Sequence, residues 1–537
     1  MQIGLFLRKS LKNDGYGVCI RDIVSLNMLK SIVTEELSFC FSEIFMYLCT
    51  IQSEKIMEKS KMIGRKNEQL LISNYLASDK AELVAVYGRR RVGKTFLIKS
   101  IFANQFDFSF TGLYNVTRSV HLAQFQKTLE KYSGQQVKRL KDWFEAFDAL
   151  ADYLETLQKD KIIVFLDEIP WMDTPKSNFL AAFSRFWNDW ASTRPNIKLF
   201  VCGSATTWML SKFIGDKGGI YGRVCRSIWL APFTLGETEQ FLKEIKGIEM
   251  SRHQLLQVYM IMGGIPYYLD MLVKGVPLTA CIDNLFFRQG APLRNEFDFL
   301  FRSLFKDSKI YRSTIELLAT KLKGMTRQEI LEALKLGEGG DLTDVLDNLL
   351  KCDFIRKYTA IGKTERDAMY QLTDLFSLFH SKFVAGNSGQ DEQLWSKLSG
   401  KGQMTSWSGY AFEQVCLHHL AQVKTALSIG GVISNVHSWS CKPFTDKNGT
   451  KWKGAQIDLL IDRADEVINI CEIKYVSDKY AIDADYEERL RNRATLFRNV
   501  TKTKKALYHT FITTYGIAQN IHSGIVQSEV TMDQLFT

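Results

Sequence analysis

The stretch "ELVAVYGRRRVGKTFLIKSIF", residues 82–102, constrains the fold more than any other part of the chain. Leu83 to Tyr87 is an apolar, β-branched run and predicts a buried strand. Gly88 to Thr95 then matches GxxxxGK[ST], and a helix-period segment follows. Strand, glycine loop and helix together are the setting in which such a loop cradles phosphates. Gly88 and Gly93 free the backbone to curl, so the amides of Arg89, Arg90, Arg91, Val92 and Phe96 can line the anion. The helix N-terminus adds partial positive charge. Lys94 is expected to reach the β- and γ-phosphates of ATP, and Thr95 to ligate the accompanying Mg²⁺. The side chains of Arg89–Arg91 are expected to face phosphate or solvent.

A second element supports this site. "KIIVFLDEIPWM" is an apolar run from Ile162 to Leu166 followed by Asp167 and Glu168, the pattern of a buried parallel strand. Its carboxylates fall at the C-terminal end, where α/β sheets bind ligands. Asp167 is expected to orient Mg²⁺ and Glu168 to polarise the attacking water. A third strand, "IKLFVCGSATTWM", ends in Ser204, which either senses the γ-phosphate or caps the following helix. "GGIYGRVCRSIWLAPFTLGE" offers Arg223 and Arg226. Either can stabilise transition-state charge or lie at the surface.

Net charge is +10, with basic residues spread along the chain, so a polyanionic partner such as DNA is allowed without being required. None of the 10 cysteines forms a CxxC pair, and most lie in apolar runs, as expected of reduced thiols in a cytoplasmic protein. No stretch has the length of an uncharged membrane span, and the longest candidate carries Glu43. No membrane partner is expected.

The order "IGRKNEQ", "YGRRRVGKT", "VFLDEIPWM", "FVCGSATTWM", "YGRVCRSIWLAPF", "GGIPYYL" resembles the archaeal-type ATPases of the AAA+/STAND group. The resemblance spans roughly residues 62–475. It implies a P-loop ATPase core over 61–234, a helical lid over 235–300, a winged helix-turn-helix over 301–385 and a PD-(D/E)xK nuclease-like domain over 400–537. Residues 1–60 read either as an accessory extension or as lying upstream of a natural start at Met57 or Met62. In that group "GGIPYYL" lies beside the nucleotide, which makes Pro266 a candidate contact. By its sequence alone, Pro266 is a helix-starting proline. The resemblance also favours Arg223 over Arg226.

The later segments read consistently with this. "GMTRQEILEAL" places Thr326 as N-cap with Glu329 three residues on, a capping box. A third helix, "DLTDVLDNLLKCD", and the strands "FIRKY" and "AMYQLT" follow, giving three helices and a β-wing. Asp341, Asp344, Asp347 and Asp353 make the third helix a poor phosphate binder. A packing or protein-contact role suits it better. The wing's Arg356, Lys357, Lys363 and Arg366 leave DNA contact open. Further on, Glu413 sits in a helix, Asp458 in "QIDLLID" and Glu472 with Lys474 in "NICEIKY". E…D…ExK resembles the PD-(D/E)xK pattern. In that reading Asp458 and Glu472 hold Mg²⁺, Lys474 positions water or steadies charge, and Glu413 completes or orients the cage. Ordinary strand charges and an ion pair are the alternative. Adjacent His418 and His419 point apart on a helix and do not share an ion. Arg489, Arg491, Arg493 and Arg498 line a nucleic-acid groove or simply a solvated helix face.

These readings give an α/β ATP- and Mg²⁺-dependent ATPase, either driving a DNA-acting nuclease-like domain or switching a DNA, protein or self-association partner without cleavage.

Overall fold

Every residue of the strand before the glycine loop up to Val86 is buried, on both sides of the sheet. In the computed structural model this strand is β1 (Glu82–Tyr87). Leu83 and Ala85 pack into one apolar cluster and Val84 and Val86 into another. A strand with two buried faces needs helices on both sides. Helices Arg118–Ser133 and Trp143–Glu155 supply Phe125, Trp143 and Phe147 to the first face, and α1 (Lys94–Ile101) supplies Leu97 and Ile98 to the second. The structure describes residues 62–215, 224, 226–305, 307–337, 340–359, 361, 365–387, 391–398, 402–445, 449 and 451–537. The predicted extension 1–60 lies outside them.

With β2 (Phe108–Thr111), β3 (Ile162–Asp167), β4 (Ile197–Gly203) and β5 (Arg226–Trp229), the sheet has the order β2-β3-β4-β1-β5, every pair parallel. Parallel strands put all their C-terminal ends along one edge. Gly88, Asp167 and Ser204 follow or end neighbouring strands there.

The segment predicted as a lid is helical. Capping boxes at Thr234/Glu237 and Ser251/Gln254 start two of its helices, the second being α2 (Arg252–Met262). α3 (Glu296–Leu304) closes it. Next come α4 (Ser308–Thr320), β6 (Met325–Thr326), α5 (Arg327–Ala333), α6 (Asp341–Lys351), β7 (Ile355–Tyr358) and β8 (Met369–Leu372). The capping box at Thr326 and Glu329 is formed. The three strands make an antiparallel sheet in the order β6-β8-β7. α6 buries Leu342, Val345, Leu346 and Leu349, so its aspartates take the outer face. Just beyond it, Cys352 Sγ meets Thr207 Oγ1 of the nucleotide domain at 3.7 Å. α7 (Leu375–Phe379) is entirely buried.

The remaining part begins with α8 (Gly402–His418). β9 (Ser434–Cys441), the short pair β10 (Phe444–Thr445) and β11 (Lys451–Trp452), β12 (Ala455–Arg463) and β13 (Val467–Lys474) follow. α9 (Ala484–Thr501) then crosses to β14 (Ala506–Thr513) and β15 (Ser528–Thr531). The sheet order is β15-β14-β13-β12-β9, antiparallel from β9 to β13 and parallel beyond. The short helix Met532–Phe536 returns to the lid segment. There Arg252 lies over the Phe536 ring at 4.8 Å and 3.3 Å from Asp533. Among the described residues, no helix is long and apolar enough to cross a membrane.

Buried histidines give this fold a defined response to acid. Burial pushes His380, His419 and His509 down to about 4 from 6.5. His419 Nε2 also accepts the Leu235 N–H at 3.0 Å, a bond that protonation removes. A depressed folded pKa contributes stability that is intact above pH 6.5 and withdrawn as pH falls toward 4, about 3 kcal/mol each at most. Burial pushes Glu413 up to about 8 and Asp353 up to about 6, the opposite sign. Those two return part of the loss on acidification. Stability is expected to fall between pH 6.5 and 4, read as a lower denaturant midpoint by circular dichroism, and His419→Gln to shrink that fall. The same pH dependence in His419→Gln as in wild type would contradict this assignment.

Candidate functional site

The nucleotide site lies at the C-terminal edge of the parallel sheet. Gly88 has φ 145° and Gly93 φ 94°, conformations that suit glycine. A Cβ at Gly88 would stand 2.4 Å from Leu230 O, so no side chain fits there. Lys94 is buried and donates to Gly88 O at 3.0 Å and Arg89 O at 2.9 Å, which places its ammonium inside the curl of the loop. Burial pulls its pKa below the usual lysine value, with Glu168 opposing. Thr95 Oγ1 donates to Asp167 Oδ2 at 2.9 Å. A hydroxyl and a carboxylate oxygen side by side are a donor set that fits Mg²⁺. Burial raises the Asp167 pKa, Glu168 adds to it, and Thr95 opposes it.

Ser204 does not cap the following helix. Ala205 holds the N-cap position of the next helix. Ser204 instead donates from Oγ to Glu168 Oε1 at 2.5 Å and from its N–H to Glu168 Oε2 at 3.1 Å. It therefore fixes the carboxylate expected to polarise water, whose own backbone is left-handed at φ 48°.

Two of the three loop arginines, Arg89 and Arg91, correct the expectation that they face phosphate or solvent. Arg89 is buried and pairs through both terminal nitrogens with Asp374, Nη2 to Oδ2 being 3.1 Å, and lies 4.9 Å over the Phe354 ring. Arg91 pairs with Glu296 at 2.9 Å and lies 4.0 Å over Tyr267. Only the backbone at these positions remains available to an anion. Breaking a buried ion pair by removing one partner costs about 3–5 kcal/mol, so these contacts hold the loop firmly. Val92 is buried, and its carbonyl accepts from Arg65 at 3.2 Å. Phe96 is exposed on the first turn of α1.

Pro266 begins a four-residue helix, and the next residue, Tyr267, carries the Arg91 stack, so "GGIPYYL" does lie beside the loop. Gly264 has φ 68°, and a Cβ there would stand 2.3 Å from Phe233 O. Arg223 lies outside the described residues. Arg226 opens β5 and stands 4.0 Å from Glu82, at the opposite end of the sheet from the loop.

In the C-terminal sheet, Glu472 is buried and both its oxygens are engaged. Oε2 accepts from Tyr486 Oη at 2.6 Å and lies 3.6 Å from Lys474 Nζ, while Oε1 is held by Arg493. Asp458 is exposed at an irregularity of β12 between Ile457 and Leu460, where it accepts from Gln456 at 2.5 Å. Bulges of this kind re-aim a side chain. Glu413, with its pKa pushed up to about 8 by burial and then by Asp458, is mostly neutral at pH 7. Lys474 couples electrostatically to Glu413 and Asp458, so these three groups are neighbours. Of the two expected Mg²⁺ ligands, Glu472 is already paired with Arg493. Among the described residues, no group of three or more His, Cys, Asp or Glu side chains could hold a metal ion.

The β7–β8 hairpin predicted as a wing is less free than expected. Arg356 donates to Gln371 at 2.6 Å and stacks 4.7 Å over Tyr358, and the backbone of Ile361 donates to Ser438 of β9. Lys357 pairs with Glu365 at 2.6 Å, Arg366 is exposed, and Lys363 lies outside the described residues. On α9, Arg491 pairs with Glu487 and Arg489 lies 5.0 Å over Tyr486, while Arg498 is exposed.

A parallel sheet flanked by helices, with a phosphate loop leaving β1, defines a P-loop NTPase-like fold. Residues 63–272 match the family described as an ATPase domain predominantly from Archaea, which supports ATP binding and hydrolysis. The chain is 26% identical over 419 residues to the uncharacterized protein MJECL04 of Methanocaldococcus jannaschii, covering 77% of this chain and 87% of that one. Among solved structures, the Walker-type ATPase paby2304 of Pyrococcus abyssi aligns with a TM-score of 0.44 at 18% identity, covering 60% of this chain and 96% of that one. The ORC2 protein of Aeropyrum pernix aligns with a TM-score of 0.38 at 15% identity, covering 64% and 96%.

Arg65, Glu296 and Asp374 escaped the sequence reading. Arg65 belongs to the quoted "IGRKNEQ", which was the available signal. Nothing local marks Glu296 or Asp374, since their partners are distant in sequence.

Proposed function

We propose that this chain is an ATP-binding and ATP-hydrolysing switch. Its nucleotide state sets the position of a lid over 235–304, a winged helix over 308–372 and a C-terminal nucleic-acid-binding domain over 402–537. The carrying observation is the paired constellation at the sheet edge, Thr95 with Asp167 and Glu168 with Ser204. Bound Mg²⁺ would supply charge neutralisation at the phosphates, held by Thr95 and Asp167. Lys94 binds the phosphate chain, and Glu168, aimed by Ser204, accepts a proton from water. The outward aspartates of α6 and the engaged Arg356 and Lys357 favour contact with protein rather than DNA at the winged helix. Arg498 and the rest of α9 make the C-terminal domain the better candidate for a nucleic-acid partner. Self-association is a further expectation of this reading.

A second reading is a nuclease. The element order of helix, three strands, helix and strand, with Asp458, Glu472 and Lys474 on adjacent strands, favours it. Glu472's ties to Arg493 and Tyr486 weigh against it, so no step is derived through a metal there. The test is one set of assays on the full chain: phosphate release, DNA and RNA binding with ATP or ADP by fluorescence anisotropy, and Mg²⁺-dependent cleavage of a DNA and RNA panel. Phosphate release with nucleotide-dependent binding and no cleavage is the expected result. Cleavage would establish the second reading. Absence of phosphate release would remove the first.

A further inference from the structure

The phosphate loop is held from outside the segment that matches the ATPase family. Three of its positions, Gly88, Arg91 and Gly93, have positive φ, at 145°, 72° and 94°. Backbones that pass through left-handed conformations turn successive N–H groups toward a common point and form anion-binding concavities. Glycine adopts them without penalty, whereas arginine does not. A loop with Arg91 in that conformation therefore needs an external restraint.

Two restraints flank Arg90. On one side, the Arg89 guanidinium is 5% exposed and meets an Asp374 carboxylate that is 2% exposed. Asp374 is itself fixed: its N–H donates to Phe354 O at 3.1 Å, and its Oδ2 accepts from the Ser377 N–H at 2.8 Å as the N-cap of α7. On the other side, Arg91 meets Glu296, whose side chain is 3% exposed and also accepts from Tyr268 Oη at 3.1 Å. The same guanidinium rests on the Tyr267 ring. The family match ends at residue 272. Glu296 starts α3 and Asp374 follows β8, both beyond it.

We infer that Asp374 and Glu296 are positioning residues for nucleotide binding: acting through Arg89 and Arg91, they set the backbone of the phosphate loop, and the ATP site is incomplete without them. This rests on the ATPase reading above. Neither carboxylate touches the nucleotide. Each holds an arginine whose own backbone contributes to the concavity. The site is thus assembled from three stretches of chain, and a rearrangement that pulls α3 or α7 away would slacken the loop.

The test compares ATP hydrolysis by full-length wild type, Asp374→Asn and Glu296→Gln, with KM and kcat separated and folding checked by circular dichroism. The expected result is a rise in KM of roughly tenfold in each variant with kcat within about twofold of wild type, because the variants disturb phosphate binding and leave Glu168 and Ser204 in place. Should Asp374→Asn fail to fold, Glu296→Gln decides alone. Its partner Arg91 is 20% exposed and tolerates the loss better. Wild-type KM in the folded variants overturns the inference, and so does a fall in kcat at unchanged KM. Absence of hydrolysis in wild type removes the ATPase reading itself, an outcome distinct from either.

Discussion

Lys94→Ala is expected to lower phosphate release at least about 100-fold and to weaken nucleotide binding with it. The structure places the lysine ammonium within the curl of the loop, on Gly88 O and Arg89 O, and a point charge on the β- and γ-phosphates acts on ground state and transition state alike. Glu168→Gln separates the two. It keeps an oxygen for the Ser204 hydroxyl but cannot accept a proton from water. Hydrolysis should fall by about 10²–10⁴, with affinity for a fluorescent ATP analogue retained. Near-normal hydrolysis in Glu168→Gln would move the base elsewhere. Unaltered binding in Lys94→Ala would mean that the loop does not hold the phosphates.

Glu472→Ala should destabilise the chain by about 3 kcal/mol, the low end for breaking a buried ion pair because Arg493 keeps some contact with water. The variant strands the Tyr486 hydroxyl at 2.6 Å and removes the counterion of Arg493. Asp458→Asn, at an exposed position, should change stability by no more than about 0.5 kcal/mol. Denaturant unfolding of both variants measures the contrast. If Glu472→Ala were as stable as wild type, the ties to Arg493 and Tyr486 would carry no weight, and a metal-binding role would regain its ground. If the contrast holds, Glu472 is first a structural anchor for α9 against β13.

The parts of this molecule that were legible in its sequence are those written in local periods. β1 and β3 announced themselves as apolar runs, Leu83–Tyr87 and Ile162–Leu166, because a strand covered on both faces leaves no room for alternation. The glycine loop was legible because Gly88 sits where a Cβ would strike Leu230. The capping box at Thr326 is a four-residue signal and was read in full. What stayed hidden depends on chain separation. Arg89 and Asp374 are 285 residues apart, and the variable positions of the loop pattern say nothing about where their side chains go. Ser204 offered a local role as a helix cap, and the tertiary structure set it against Glu168 instead because β4 lies beside β3. Glu472 looked like a metal ligand on spacing alone. Arg493, one helix later, changes its chemistry, and no short-range pattern couples the two.

The return of Met532–Phe536 to the lid has a consequence for how the protein is made. Helices 235–240 and 252–262 find part of their final packing against a segment that leaves the ribosome almost 300 residues later. Domains of a nascent chain usually fold as they emerge, but here these two helices complete their packing only after residues 308–531 have been synthesised. During that interval the surface that Phe536 covers in the finished fold stays open to solvent.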